Sequence, residues 1–158
     1  MNPIPAAVEI RRMSAAEVDR VMELARRLKE APAWPASAYL AALDPQAAPR
    51  RIALVAAESE SGALGGFLVA ALLPPQGELE TIAVVPEARR RGVGRRLFAA
   101  LVEELKTEGV AEVILEVRAS NRAARAFYAS LGFAETGRRP RYYEHPQEDA
   151  LLLTLRLA

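Results

Sequence analysis

The stretch VVPEARRRGVGRRLF, residues 84–98, sets two glycines in a crowd of arginines where an amphipathic helix should begin. Glycine weakens a helix by about 1 kcal/mol relative to alanine, so Gly92 and Gly94 need a reason to be there. Just upstream, ELETIAVV (78–85) reads as a strand. Downstream, Leu97, Leu101, Val102 and Leu105 recur at helical spacing and stop at Gly109, a natural helix terminator. Residues 89–95 therefore form a strand-to-helix turn. The first amides of a helix have no intrahelical partners, and its macrodipole places about half a positive charge there. An anion, phosphate above all, suits such a turn. Gly92 and Gly94 would let backbone approach phosphate oxygens with no Cβ in the way, and Arg90, Arg91 and Arg95 would add charge-assisted contacts. Taken alone, the loop reads equally well as a solvated arginine run. Its spacing fits neither G-x-x-x-x-G-K-[ST] nor G-x-G-x-x-G.

The same reading extends outward. VEIRR (8–12) is a strand, and Ser14 with Glu17 makes a capping box before Val18, Val21, Met22, Ala25 and Leu28 at helical spacing. APAWPAS (31–37) breaks that helix, and a short one follows from Pro35 to Leu43. RIALVAAE (51–58) and GGFLVAALL (65–73) form a hairpin through SESGAL (59–64). AEVILEV (111–117) is a strand alternating Glu112, Ile114 and Glu116 against Val113, Leu115 and Val117. A helix runs from the N-cap Asn121 to Gly132, and FAETGRR (133–139) and DALLLTLRL (149–157) are the last strands. The order β-α-α-β-β-β-α-β-α-β-β describes a mixed α/β sheet with helices on both faces. Its strand–helix–strand middle, 78–117, is a right-handed crossover between parallel strands.

Bulk numbers narrow the function. The 158 residues fit one domain, 51% hydrophobic and 26% charged. A net charge of +1 argues against a nucleic-acid binder. With no cysteine, thiolate metal sites and a cysteine nucleophile are excluded. The single histidine, His145, lies beside Pro146 in a polar stretch, so a histidine triad or metal cluster is not expected. No leader-like start or apolar run of membrane length is visible, and a cytoplasmic protein without membrane contact is the expectation.

RRRGVG (89–94) fits the [QR]-x-x-G-x-[GA] signature of the GNAT N-acetyltransferase superfamily. TIAVVPEARRRGVGRRLF (81–98), LEVRASNRAARAFYASLGF (115–133) and RRPRYYEHPQEDALLLTL (138–155) follow in the order of one branch. They resemble the RimI-type Nα-acetyltransferases, over about Leu79–Leu157. The first half is less alike, with VEIRRM (8–13) and the Trp34–Tyr39 pair as its points of contact. The resemblance implies a GNAT fold in which strands 78–85 and 111–117 splay apart. It implies acetyl-CoA as cosubstrate, no metal, and a protein N-terminus as acceptor, in RimI members that of a small-subunit ribosomal protein. It also implies a monomer or weak dimer. By position, the backbone of Ile82, Ala83 and Val84 would pair with pantetheine, and the loop from Arg90 through Gly92, Val93 and Gly94 to Arg95 would take the pyrophosphate. Asn121 would face the cofactor or cap its helix, or do both.

Amide formation needs a neutral amine, a base for its proton and an acid for the departing thiolate. The resemblance makes Glu116 the base and Tyr128 the acid. As bare residues, Glu116 could instead pair with Arg118 or another arginine, and Tyr128 could be an amphipathic tyrosine capping the core. Tyr128 lies off the Ala123–Phe127–Leu131 stripe, at the edge of its helix's buried face. Tyr142 and Tyr143 match tyrosines that bind the peptide backbone in related enzymes, or are cross-strand packing. Trp34 and Tyr39 would border the pocket for the first side chains, although WPAS (34–37) departs from the family's polar residues there. Glu80, where the family has an uncharged residue, joins Glu78 in adding acid to the cofactor strand, and either could compete for the base role. A small amine or a lysine side chain is the alternative acceptor.

Overall fold

The computed structural model describes residues 7–28, 31–89 and 91–157. Its elements are β1 (Val8–Arg12), α1 (Val18–Arg26), α2 (Ala36–Ala42), β2 (Arg51–Glu58), β3 (Leu64–Leu73), β4 (Gln76–Val84), α3 (Val93–Thr107), β5 (Glu112–Arg118), α4 (Arg122–Ser130), β6 (Ala134–Tyr143) and β7 (Glu148–Arg156). Order and type match the sequence reading throughout. The seven strands form one sheet in the order β1-β2-β3-β4-β5-β7-β6, with every neighbouring pair antiparallel except β4–β5.

Strands β2 and β3 are near-continuous apolar runs because both their faces are covered. Ile52 through Ala57 and Phe67 through Leu72 are all buried. Phe67 meets the ring of Tyr39 on α2 at 6.0 Å, whereas a Cβ on the adjacent Gly66 would lie 3.3 Å from Leu97 of α3. Neighbouring strand residues point to opposite faces, so α2 and α3 lie on opposite sides of the sheet. Helix α3 buries Val93, Leu97, Phe98, Leu101 and Leu105. Phe98 therefore takes the inward place expected for Val102, which is only half-buried.

The parallel pair is short. β4 and β5 pair only over Gln76–Glu78 against Glu112–Ile114. β5 then follows β7 along its whole length, from Glu112↔Arg156 to Arg118↔Ala150. β4 follows β3, with a bulge where Val69 faces Thr81 but Ala70 faces Leu79, leaving Glu80 as the extra residue. Bulges sharpen local twist. The two central strands therefore diverge, as the resemblance implied.

One buried carboxylate fixes the start of α1 on the sheet. Glu17, 3% exposed, accepts from Arg11 Nη1 and Nη2 at 2.7 Å each, and from the Ser14 N–H at 2.9 Å. The Arg11 hydrogen bonds, offset by burial and aided by Ser14, hold its pKa at about 2. A depressed carboxylate pKa stabilises the fold above the ordinary glutamate range, and that stability is lost as pH falls from there toward about 2. Glu17→Gln is expected to lower the melting temperature at pH 7, with the gap to the parent protein narrowing as both are acidified.

Candidate active site

Where β4 and β5 part, the molecule has a cavity of about 550 Å³. Ile82, Ala83 and Val84 form one wall, Asn121, Ala123, Ala124, Phe127 and Tyr128 of the α4 segment another, and the turn from Arg89 to Arg95 closes one end. Of the residues singled out in that turn, Gly92, Val93, Gly94 and Arg95 line the cavity. Arg91 is exposed outside it, and Arg90 lies outside the described residues.

The two glycines have different physical reasons. Gly92 is the residue before α3 and has φ of +73°, in the left-handed region. A Cβ there would meet no neighbour, so the demand is purely conformational. Gly94, inside the first turn, is a close-approach glycine, because its Cβ would stand 3.0 Å from Cζ of Phe127. The first intrahelical bond runs from the Arg96 N–H to the Gly92 carbonyl at 3.0 Å. The amides of Val93, Gly94 and Arg95 precede it, and among the described residues no carbonyl takes them. Arg89 braces the turn by donating from Nε to the Val84 carbonyl at 3.2 Å, and Arg95 reaches the Ser130 carbonyl on α4 at 3.4 Å.

Asn121 both lines the cavity and caps α4, its Oδ1 accepting from the Ala124 N–H at 3.1 Å. The buried stripe of α4 differs from the expected one. Ala123 is exposed and Phe127 faces the cavity, whereas Ala124, Tyr128 and Leu131 pack on the core. Signals of period 3.6 identify an apolar face without saying whether protein or a ligand covers it. Tyr128 serves both surfaces. It meets Phe133 edge-on at 5.7 Å and also lines the cavity. Burial first, and Tyr143 second, push its phenol up to about 12, so the hydroxyl keeps its proton at neutral pH.

Glu116 belongs to a neighbouring, wetter group. It does not line the cavity; its Oε1 forms an ion pair with Nε of Arg139 at 3.2 Å. Arg118 is engaged elsewhere, pairing with Glu148 at 3.2 Å and lying 4.4 Å over the Tyr143 ring. Tyr143 connects the two groups electrostatically: burial and then Glu116 raise its phenol, and it in turn raises that of Tyr128. Tyr142, half exposed, meets Tyr143 edge-on at 5.1 Å. Glu80 is bound by Arg51, with Nε at 2.6 Å and Nη2 at 3.3 Å from its two oxygens. Glu78 is raised by burial and by the Glu80 and Glu116 carboxylates, a rise that Arg51 and Arg139 only partly offset.

One expectation is corrected outright. Tyr39 does not border an open pocket. Its side chain is 0% exposed, stacked between Trp34 at 5.4 Å and Phe67 at 6.0 Å, because α2 lies flat on β2 and β3. Trp34 is half-buried beside it. Leu28 and Ala31 complete the cavity wall and were read only as helix face and helix break. The partners Arg51 and Arg139 are set by strand register across the sheet, which leaves no local signature in the sequence.

The cavity, the short parallel pair and the glycine turn decide the comparison with known proteins. A sequence model described as "Acetyltransferase (GNAT) family" matches residues 18–133. The chain belongs to the GNAT acetyltransferase family. It is similar to the [ribosomal protein bS18]-alanine N-acetyltransferase of Salmonella typhimurium, 45% identical over 94 residues, which are 58% of this chain and 64% of that protein. The Escherichia coli K12 counterpart is 41% identical over 99 residues, 61% of this chain and 67% of that one. The chain thus spans about two thirds of the length of the curated relatives it matches. In structure it resembles the crystal structure of the ribosomal-protein-S18-alanine N-acetyltransferase from Escherichia coli, with a TM-score of 0.81 and 30% identity, covering 96% of this chain and 95% of that one. The GNAT fold therefore extends across β1, α1 and α2, where the sequence resemblance is faint.

Two substitutions check this geometry. Gly92→Ala forces a side chain into the left-handed region, costing about 1–2 kcal/mol, and is expected to lower the melting temperature by several degrees. Glu78→Gln removes a carboxylate whose raised pKa favours folding at low pH and loses that benefit as pH rises through it. Its melting temperature is expected to exceed the parent's at pH 7 and to converge with it below the ordinary glutamate range.

Proposed function

We propose that this GNAT protein transfers the acetyl group of acetyl-CoA to the α-amino group of a protein N-terminus, as its relatives' names describe for ribosomal protein bS18. The observation that carries the reading is the gap between β4 and β5, running from a glycine turn at a helix N-terminus to a protonated tyrosine. The fit to acetyl-CoA follows from the chain's own groups. The amides of Val93, Gly94 and Arg95 sit at a helix N-terminus and suit a diphosphate. The edge of β4 beyond Glu78 has no strand beside it on the β5 side, and the amide-bearing pantetheine arm can supply strand-like partners to Ile82, Ala83 and Val84. Asn121 stands in the same wall.

In this reading the neutral amine attacks the thioester carbonyl, and a tetrahedral intermediate forms. Glu116 takes the ammonium proton, directly or through a water, as the C–N bond is made. Collapse breaks the C–S bond, and Tyr128 gives its proton to the departing thiolate. Burial keeps the phenol protonated throughout the neutral range, so a proton is present when the thiolate departs. Tyr142 and Tyr143 flank the approach of the peptide backbone, with Trp34 on the acceptor side. A ribosomal acceptor places the reaction in the cytoplasm.

Incubation with acetyl-CoA and short peptides, with N-termini free or blocked and with or without lysine, tests the assignment. Transfer confined to free N-termini is expected. Transfer to lysine or to a small polyamine would instead favour a cationic acceptor drawn by Glu78 and Glu80. Glu116→Gln and Tyr128→Phe are each expected to lower kcat by roughly a hundredfold or more while the acetyl-CoA dissociation constant stays near that of the parent. Parental rates in both variants would refute the roles given to them.

A further inference from the structure

Three guanidinium groups stand around the acceptor side of the sheet, and they are not held alike. Arg51 grips Glu80 through two nitrogens. Arg118 is fixed by Glu148 and by the carbonyls of Glu144 and Pro146, at 3.2, 3.1 and 3.0 Å. Arg139 has one ionic contact, Nε to Glu116 Oε1 at 3.2 Å, and its side chain is 59% exposed against 19% for Glu116. Its guanidinium carbon lies at the same time 5.4 Å from the centre of the exposed Tyr142 ring.

We propose that Arg139 is an internal stand-in for the acceptor's ammonium, occupying Glu116 while no acceptor is bound and giving way to the incoming amine. The inference rests on the acetyl-transfer reading of Glu116. The chemistry of the exchange is like for like. Glu116 and Glu78 lie close enough to repel, and Arg139 relieves that repulsion. Its departure alone would leave half-buried carboxylates uncompensated, whereas replacement by an ammonium leaves the local charge unchanged. An exposed, single-contact ion pair is weak enough for such a competitor to win. Backbone geometry supplies the room. After one register shift between Glu135 and Gly137, β6 pairs with β7 from Gly137↔Leu152 to Arg139↔Ala150, breaks register again, and rejoins at Tyr143↔Glu148, with Arg141 at φ of +55° between them. Arg139 is thus the last paired residue before the segment that carries Tyr142 and Tyr143, and a guanidinium leaving Glu116 keeps the Tyr142 ring it already touches.

The test compares Arg139→Gln and Arg139→Lys with the parent protein in steady-state acetylation of a short peptide with a free N-terminus. Removing the competitor is expected to lower the KM for the peptide roughly fivefold, the scale of an exposed ion pair, while kcat changes far less. The lysine variant keeps a competing cation and is expected to hold the parental KM. Calorimetric binding of the same peptide with its N-terminus blocked should not differ between the parent protein and Arg139→Gln, since no ammonium competes. A KM for Arg139→Gln that is unchanged or raised, or an equal gain for the blocked peptide, would overturn the proposal. Should the parent protein acetylate a lysine or a small amine in place of N-termini, the N-terminal reading fails separately, and the KM comparison with that amine decides the role of Arg139.

Discussion

The early parting of β4 and β5 governs everything else in this molecule. A parallel pair that continued would satisfy both strands' backbone groups and close the sheet. Here each strand has a stronger commitment on its other side. β5 is zipped to β7 along its full length, and β4 is bound to β3 with Glu80 bulged out, which turns its end away. The opening leaves a strand edge that needs partners and a turn whose amides need an anion. Gly92 makes the turn sharp enough to start α3 at the end of the gap, and Gly94 lets Phe127 of α4 come against α3. The sheet, the turn and the helix across it thus belong to one arrangement. A side chain at Gly94 would disturb the cavity chiefly through Phe127, with the end of β4 at Val84 next in reach at 3.7 Å.

Local periodicity made the order of elements legible, because alternation in strands and spacing in helices are imposed by the neighbours they bury. Burial alternates strictly along β5, with Val113, Leu115 and Val117 inside, as the pattern of AEVILEV implied. The same logic failed where an apolar face meets something other than core. On α4 the signal could not divide Ala123 and Phe127, which face the cavity, from Leu131, which faces protein, or show that Ala124 and Tyr128 meet both. At Tyr39 it was the resemblance that misled, since it placed on a pocket rim a ring that is fully buried against Trp34 and Phe67. The cavity-lining glycines were visible because a strand-to-helix turn has its own composition, and the β4 segment and Asn121 because the resemblance implied them. The ion pairs Arg51–Glu80 and Arg139–Glu116 were not, since the partners meet only through sheet register.

The two ends of the site are electrically unlike, and the difference bears on the acceptor. At the cavity end, burial keeps the Tyr128 proton in place, while at the other end the half-buried Glu116 shares its charge with the more exposed Arg139. In the proposed reaction, a carboxylate already held in an ion pair is a modest base. An N-terminal amine has a pKa of about 7.7–8.0, so near neutrality roughly a tenth of it is already uncharged. A lysine near 10.4 would have to lose its proton at a further cost of about 3 kcal/mol before it could attack. With Glu116 as the proposed base, such a site can meet the first demand more readily than the second. The carboxylates of Glu78 and Glu80 do not close that difference, because they stabilise an ammonium and so make the neutral nucleophile harder to reach. On this ground the electrostatics of the site favour the same acceptor class as the proteins this chain resembles.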